Sequence, residues 1–131
     1  MISVLVVVPT YNESESIRSL LTRLDAARNL ISNSFNIDIL LVDDDSPDRT
    51  AEIAKSMNLP GFSILNRKIK SGLGPAYLAG FKQGLTGSYQ YFVEMDADLS
   101  HQPEQLVDLL KCCIERHFGY WNQVDSWWFG G

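Results

Sequence analysis

Two aspartates with one small residue between them, Asp96-Ala97-Asp98, close the apolar run Tyr91-Phe92-Val93-Glu94-Met95 and are the residues best suited to do chemistry in this chain. If that run is a buried strand continuing through them, side chains at i and i+2 point the same way and the two carboxylates share one side. Carboxylates held that close repel, so keeping both ionised needs a cation between them or generous solvation. Magnesium and manganese favour oxygen ligands, commonly take one or two carboxylates, and complete their shells with water and phosphate oxygens. Asp96 and Asp98 are therefore candidate ligands of Mg2+ or Mn2+ at a metal-bridged diphosphate site. For an isolated Asp-x-Asp the competing reading is a solvated acidic turn, and the surrounding elements have to decide between them.

Those elements alternate along the chain. Ile2 to Val8 is a continuous apolar, β-branched run, as expected of a strand covered on both faces in a parallel sheet, and Pro9 is expected to stop it. After the turn Pro9-Thr10-Tyr11-Asn12-Glu13, Asn12 and Glu15 resemble a helix cap preceding Ile17, Leu20, Leu21, Leu24, Ala27 and Ile31, which form one apolar helical face. Ile37 to Val42 is a second strand ending in Asp43-Asp44-Asp45-Ser46-Pro47-Asp48, with Ile53, Ala54 and Met57 marking the next helix. A third round has a strand at Phe62 to Leu65 and a helix expected to begin at Pro75, with Ala76, Ala79, Gly80 and Phe81 inward and Gly80 packed closely on the sheet. The fourth is the strand ending in the aspartate pair, followed by a helix starting near Pro103 with Leu106, Leu109, Leu110 and Cys113 inward.

Four strand-helix units imply an α/β fold, a parallel sheet with right-handed crossovers, in which ligands bind beyond the carboxyl ends of the strands. The acidic and polar loops converge there, and this topology turns Asp96 and Asp98 from a solvated turn into a site.

Composition sets outer bounds. A chain of 131 residues with 45% hydrophobic content has the size of one ordinary domain, able to bury roughly two thirds of its unfolded surface. A net charge of -5 and a pI near 4.8 argue against a nucleic-acid partner, which calls for a basic face. No apolar stretch reaches the length of a membrane span, and Val4 to Val8 lacks a cationic leader, so an intracellular soluble chain is expected. Cys112 and Cys113 are adjacent within a helical pattern and read as buried helix residues, not as a disulfide or zinc site.

Other residues compete for roles. Asp43, Asp44 and Asp45 cannot all face a ligand while the chain stays extended, so at most one does direct work, and Asp48 is expected to cap the next helix. Tyr11 offers a ring to stack on a nucleobase and Glu13 a carboxylate for ribose or base donors. The segment Arg67 to Gly74 concentrates cations beside glycines without the spacing of a P-loop, and solvated loop lysines account for Lys68 and Lys70. His101 is either a metal or substrate contact or a structural hydrogen-bond partner at the start of a helix.

Taken together, Val8-Pro9-Thr10-Tyr11-Asn12-Glu13, Val42-Asp43-Asp44-Asp45-Ser46-Pro47-Asp48, Gly72-Leu73-Gly74-Pro75-Ala76-Tyr77 with Ala79-Gly80-Phe81, and Glu94-Met95-Asp96-Ala97-Asp98-Leu99-Ser100-His101 closely resemble the inverting family two glycosyltransferases, especially polyprenyl-phosphate (dolichyl-phosphate) mannosyltransferases. The resemblance covers roughly residues 4 to 114. It implies the GT-A fold, a Rossmann-like parallel sheet flanked by helices. It implies a metal-dependent transferase using a nucleotide-sugar donor, GDP-mannose foremost, and a polyprenyl-phosphate acceptor at the cytoplasmic face of a membrane, as a homo-oligomer or with an anchoring partner. Pro9, Tyr11, Glu13, Val42 and Asp44 would hold the nucleotide, while Asp96, Ala97 and Asp98 would meet ribose, diphosphate and metal, with Asp96 and Asp98 the catalytic pair.

The sequence departs from the family pattern in three places. Ser100 stands where relatives often carry glutamine, and Arg49 replaces a glycine at the start of a helix. Residues 117–131, which hold His117 and all three tryptophans, lack the expected Gly-Ser-Arg and read as an atypical tail, leaving residues 1–116 as the nucleotide-sugar-binding part of a GT-A domain. A truncated or frame-disrupted family member is the expectation. Two alternatives stand beside a transferase: a fragment that binds nucleotide sugar without transferring it, and a phosphatase of the haloacid-dehalogenase type, which places its Asp-x-Asp on the first strand.

Overall fold

The computed structural model describes residues 1–68 and 72–116, so the expectations for His117 and for the tail lie outside the described residues. Among the described residues eight elements alternate: β1 (Ile2–Thr10), α1 (Ile17–Leu30), β2 (Phe35–Asp43), α2 (Thr50–Ser56), β3 (Phe62–Asn66), α3 (Leu73–Gly84), β4 (Tyr91–Glu94) and α4 (Gln105–Arg116). The four strands form one parallel sheet in the order β3-β2-β1-β4. The chain builds outward from β1 to β3, then crosses to the other side of β1, so the strand order reverses between β1 and β4.

The sheet has unequal faces. One is covered by α1, which packs against both α2 and α4; Ile17, Leu20, Leu21 and Leu24 meet Val4, Val6, Val8, Ile39 and Leu41 there, and Leu106 and Leu110 join from α4. The other, among the described residues, is covered by α3, over Leu5, Val7, Leu40 and Val42. Gly80 makes that approach possible: a Cβ on it would stand 2.5 Å from Val7 Cγ1 and 3.1 Å from Val42 Cγ2. The inward face of α3 is Ala76, Tyr77, Gly80 and Gly84, while Ala79 and Phe81, expected inward, are only half-buried. The inward faces expected for α1 and α4 are buried as read. Cys113 is buried but Cys112 is exposed, because adjacent helix residues point about 100° apart.

Several boundaries differ from the sequence reading. β1 does not stop at Pro9 but pairs through Thr10 opposite Asp43. Val7 accepts from the Met95 N–H on the β4 side, and two residues on, Pro9 turns its missing N–H to that same side, past the end of the β4 register at Glu94. Proline is tolerated where no ladder bond is required of it. Asn12 is not the cap of α1; it sits at φ 56, and Ser16 takes the N-cap position without a side-chain cap bond. α3 begins at Leu73, two residues before Pro75, which still falls in the first turn where its N–H is not needed. α4 begins at Gln105, and Pro103 belongs to the preceding turn. Among the described residues no helix is long and apolar enough to cross a membrane.

Arg49 stands immediately before α2 at φ 68, a left-handed conformation that costs a side chain with a Cβ and glycine little. Arg49→Gly is expected to raise the unfolding free energy by about 0.5–1 kcal/mol, the relieved strain exceeding the added freedom of the unfolded chain. Denaturant melts of the two proteins check this; an equal or lower midpoint for Arg49→Gly contradicts it.

Candidate active site

The site lies beyond the carboxyl ends of the strands at the reversal between β1 and β4, where open α/β sheets bind ligands. A cavity of about 240 Å³ opens there, lined by Pro9, Thr10, Tyr11, Glu13, Asp44, Gly72, Leu73, Ala76, Asp96, Ala97 and Asp98. Four of these are carboxylates drawn from three separate loops.

Asp96 and Asp98 reach the cavity by a turn and not by strand alternation, which corrects the expectation that the strand runs through them. β4 ends at Glu94, and Leu99 adopts φ 65, a conformation rare for a branched apolar residue, while its side chain packs against the core. The reversal brings Ser100 back over both carboxylates. Its N–H donates to Asp98 Oδ1 at 3.0 Å and its hydroxyl donates to Asp96 Oδ2 at 3.3 Å. Hydrogen bonds from the Ser100 side chain and backbone hold the Asp98 carboxyl below its ordinary range, outweighing partial burial. The Tyr77 hydroxyl donates to Asp96 Oδ1 at 2.8 Å. Burial first, and then the bond to Asp96, push the Tyr77 phenol well above its usual range, so it remains a protonated donor.

The first loop is clasped by the second. The N–H groups of Asn12, Glu13 and Ser14 donate in succession to Ser46 Oγ, Thr50 Oγ1 and Asp48 Oδ2, each at 3.0 Å. Asp43 anchors this arrangement, accepting from the hydroxyls of Thr10 at 2.7 Å and Ser46 at 2.6 Å. Asp48 accepts from the Thr50 N–H at 3.1 Å, but the N-cap position of α2 expected for it is held by Arg49; partial burial works to raise the Asp48 pKa, but its bonds from Thr50 and Ser14 win and lower it. Of the three consecutive aspartates, Asp43 is therefore tied within the fold, Asp45 is exposed at φ 57, and Asp44 alone lines the cavity. Arg67 Nη1 lies 3.5 Å from Asp44 Oδ1.

Glu13 is pulled above its ordinary pKa chiefly by burial, opposed by a hydrogen bond from Ser16 and reinforced by the charges of Asp98, Asp48 and Asp96. Ser16 also donates to the Ala97 carbonyl at 2.8 Å, joining the first loop to the aspartate turn. His101 Nδ1 accepts the Asp96 N–H at 3.2 Å, the structural contact that is one of its two expected roles. Val42, expected to meet the nucleotide, packs in the core beneath α3 and is absent from the cavity lining. Thr10, Gly72, Leu73 and Tyr77 are residues of the site or its support that no chemical pattern singles out, and Ala76, expected to pack inward, also lines the cavity; the signal for them is the motifs Val8 to Glu13 and Gly72 to Tyr77.

With the geometry in place, comparison with known proteins decides the family. The family profile described as Glycosyl transferase family 2 matches residues 5–117. This chain belongs to glycosyl transferase family 2. It is 49% identical over 110 residues to an undecaprenyl-phosphate mannosyltransferase of Micrococcus luteus, covering 82% of this chain and 43% of that protein. It is 44% identical over 109 residues to a polyprenol monophosphomannose synthase of Mycolicibacterium smegmatis, covering 81% of this chain and 39% of that protein. The chain thus spans about two fifths of the length of these relatives. A mannosyltransferase from Pyrobaculum calidifontis, solved in complex with GDP-Man and Mn2+, superposes with a TM-score of 0.65 at 21% identity over 84% of this chain and 32% of that one. The fold of this family 2 chain is the GT-A type.

The donor set suits a hard divalent cation shared with a phosphate ligand. Among the described residues no group of three or more His, Cys, Asp or Glu gathers as a closed cage. Magnesium and manganese need only one or two protein carboxylates when substrate oxygens complete the shell.

Replacing Ser100 by alanine removes the hydroxyl that faces both carboxylates. Asp98 has a depressed folded pKa, so its contribution to stability is present above the unfolded value and is lost as pH falls through the folded one. Carboxyl-carbon NMR titration of Ser100→Ala is expected to move the Asp98 midpoint upward, toward the ordinary value of about 4. A midpoint identical to that of the unsubstituted chain contradicts the assignment.

Proposed function

We propose that this cavity binds the nucleoside diphosphate of a sugar donor, and that the activity served is transfer of mannose from GDP-mannose to a polyprenyl phosphate with inversion at the anomeric carbon. One observation carries the reading: Asp96 and Asp98 share a cavity with Tyr11, Glu13 and Asp44 at the reversal of strand order. Four carboxylates would repel a diphosphate unless a cation intervened. A divalent ion, Mg2+ or Mn2+, held by Asp96 and Asp98 supplies that charge neutralisation when the leaving nucleoside diphosphate separates.

The remaining roles belong to the chain's own side chains. Tyr11 presents a ring to the base, and Glu13 and Asp44 accept from base or ribose donors. Pro9 and Ala97 form close apolar walls, and Val42 supports the site from beneath. Helix α3 begins at the cavity with Gly72, Leu73 and Ala76, and the positive end of a helix favours a phosphate. A phosphate acceptor is already anionic near neutral pH and needs little help from a general base.

In this reading residues 1–116 form the donor-binding part of a GT-A domain. The chain works peripherally at the cytoplasmic face of the membrane that holds its acceptor, as a homo-oligomer or with an anchoring partner. The relatives named as polyprenol-phosphate mannosyltransferases support the choice of sugar and acceptor, and the mannosyltransferase captured with GDP-Man and Mn2+ supports the donor and the metal. A second reading is donor binding without transfer, since the cavity residues assigned above all serve the donor and its metal.

Calorimetric titration with GDP-mannose is expected to show binding that strengthens with Mn2+, and Asp98→Asn is expected to remove at least about 10-fold of that gain. Metal-independent binding unaffected by Asp98→Asn sinks the metal-diphosphate role. Transfer of labelled mannose to a polyprenyl phosphate separates the two readings: product supports the transferase, and tight donor binding without product supports the second.

A further inference from the structure

We propose that Tyr77 is a positioning residue for Asp96, fixing the orientation in which its carboxylate shares a cation with a bound diphosphate. The inference rests on the functional reading above and extends it to a residue outside the cavity lining, on a different element from the aspartates. Tyr77 is 9% exposed, and its hydroxyl reaches Asp96 Oδ1 at 2.8 Å across the 19 residues that separate them in sequence.

Two features make this contact more than packing. The Tyr77 ring is immobilised before the hydroxyl acts, stacked on Phe81 with centroids 6.2 Å apart and packed among Leu5, Val7, Leu40 and Val42. A phenol held this way has little torsional freedom, so its proton defines a direction. In addition, Asp96 is gripped at both ends, with Tyr77 on Oδ1 and Ser100 on Oδ2 at 3.3 Å, while its own N–H is bound by His101. A carboxylate donated to at both oxygens from two elements keeps one rotamer, and each oxygen retains a lone pair for a cation. Among the described residues Asp98 has no such partner on α3, and Ser100 within its own turn donates to it. Asp96 is the fixed ligand of the pair, and Tyr77 couples its geometry to helix α3, whose first turn lines the cavity.

Tyr77→Phe keeps the ring and removes only the hydroxyl. In the full chain without ligand, side-chain NMR couplings are expected to show one rotamer for Asp96, and averaging among rotamers in Tyr77→Phe. With GDP saturating, Mn2+ affinity read by electron paramagnetic resonance is expected to fall about 10-fold in Tyr77→Phe, the scale of losses from groups that orient metal ligands. Phe81→Leu loosens the same packing but retains the hydroxyl, and a much smaller loss is expected from it. An Asp96 rotamer unmoved by Tyr77→Phe overturns the proposal, and so does an equal loss in Phe81→Leu. If Tyr77→Phe frees Asp96 but the unsubstituted chain gains no Mn2+ affinity from GDP, the functional reading fails while the coupling of Tyr77 to Asp96 stands.

Discussion

Crowding of like charge at the carboxyl end of the sheet is the constraint to which the loops of this protein answer. Glu13, Asp44, Asp96 and Asp98 line one small cavity, and Asp43 at the end of β2 with Asp45 and Asp48 in the loop after it stand close by in sequence. Left in water these groups would spread apart. The fold instead assigns donors to them: hydroxyls of Thr10 and Ser46 for Asp43, Thr50 for Asp48, and Tyr77 and Ser100 for the aspartate pair. Asp43 and Asp48 tied in this way become scaffold, while Asp96 and Asp98 are held in place and still face the cavity beside Glu13 and Asp44.

The clasp between the first two loops shows how acidic residues can serve structure and site together. Three successive backbone N–H groups, of Asn12, Glu13 and Ser14, are bound by side chains from the second loop, so Tyr11 and Glu13 are placed by Ser46, Asp48 and Thr50. The site is then closed by the short bond from Ser16 to the Ala97 carbonyl, which ties the loops after β1 and β4 across the reversal of strand order. Backbone strain collects in the same region: Asn12, Asp45, Arg49 and Leu99 all have positive φ, and all lie in loops at this end of the sheet. Such conformations persist where the surroundings over-determine them, as the interlocked bonds do here.

Much of this architecture was legible in the residues. Continuous β-branched runs announced buried parallel strands, and the apolar spacing of Ile17, Leu20, Leu21 and Leu24 announced the face of α1, because both signals depend only on local periodicity. Tyr11, Glu13, Asp44, Asp96 and Asp98 could be chosen since strand order places loop residues at one end of a sheet. What stayed hidden depended on contacts between distant elements or on unusual φ. β4 ends at Glu94 and the turn beyond it carries the left-handed Leu99, which nothing in an apolar run foretells. Pro9 remains in β1 because its neighbour β4 has already ended, and Tyr77 meets Asp96 through the close seat that Gly80 gives α3. Val42, grouped with the nucleotide residues by resemblance, is core by geometry.

In the proposed site a divalent cation is shared between the Asp96 and Asp98 turn and a nucleoside diphosphate in the cavity. Paramagnetic broadening of backbone amide signals by substoichiometric Mn2+ tests it most directly, because it maps the ion's position in solution. With GDP present, the strongest broadening is predicted at Ala97 to Ser100 and at Tyr11 to Glu13, and it should weaken when GDP is withheld. Broadening centred at any other part of the fold, or unchanged by GDP, would contradict the account.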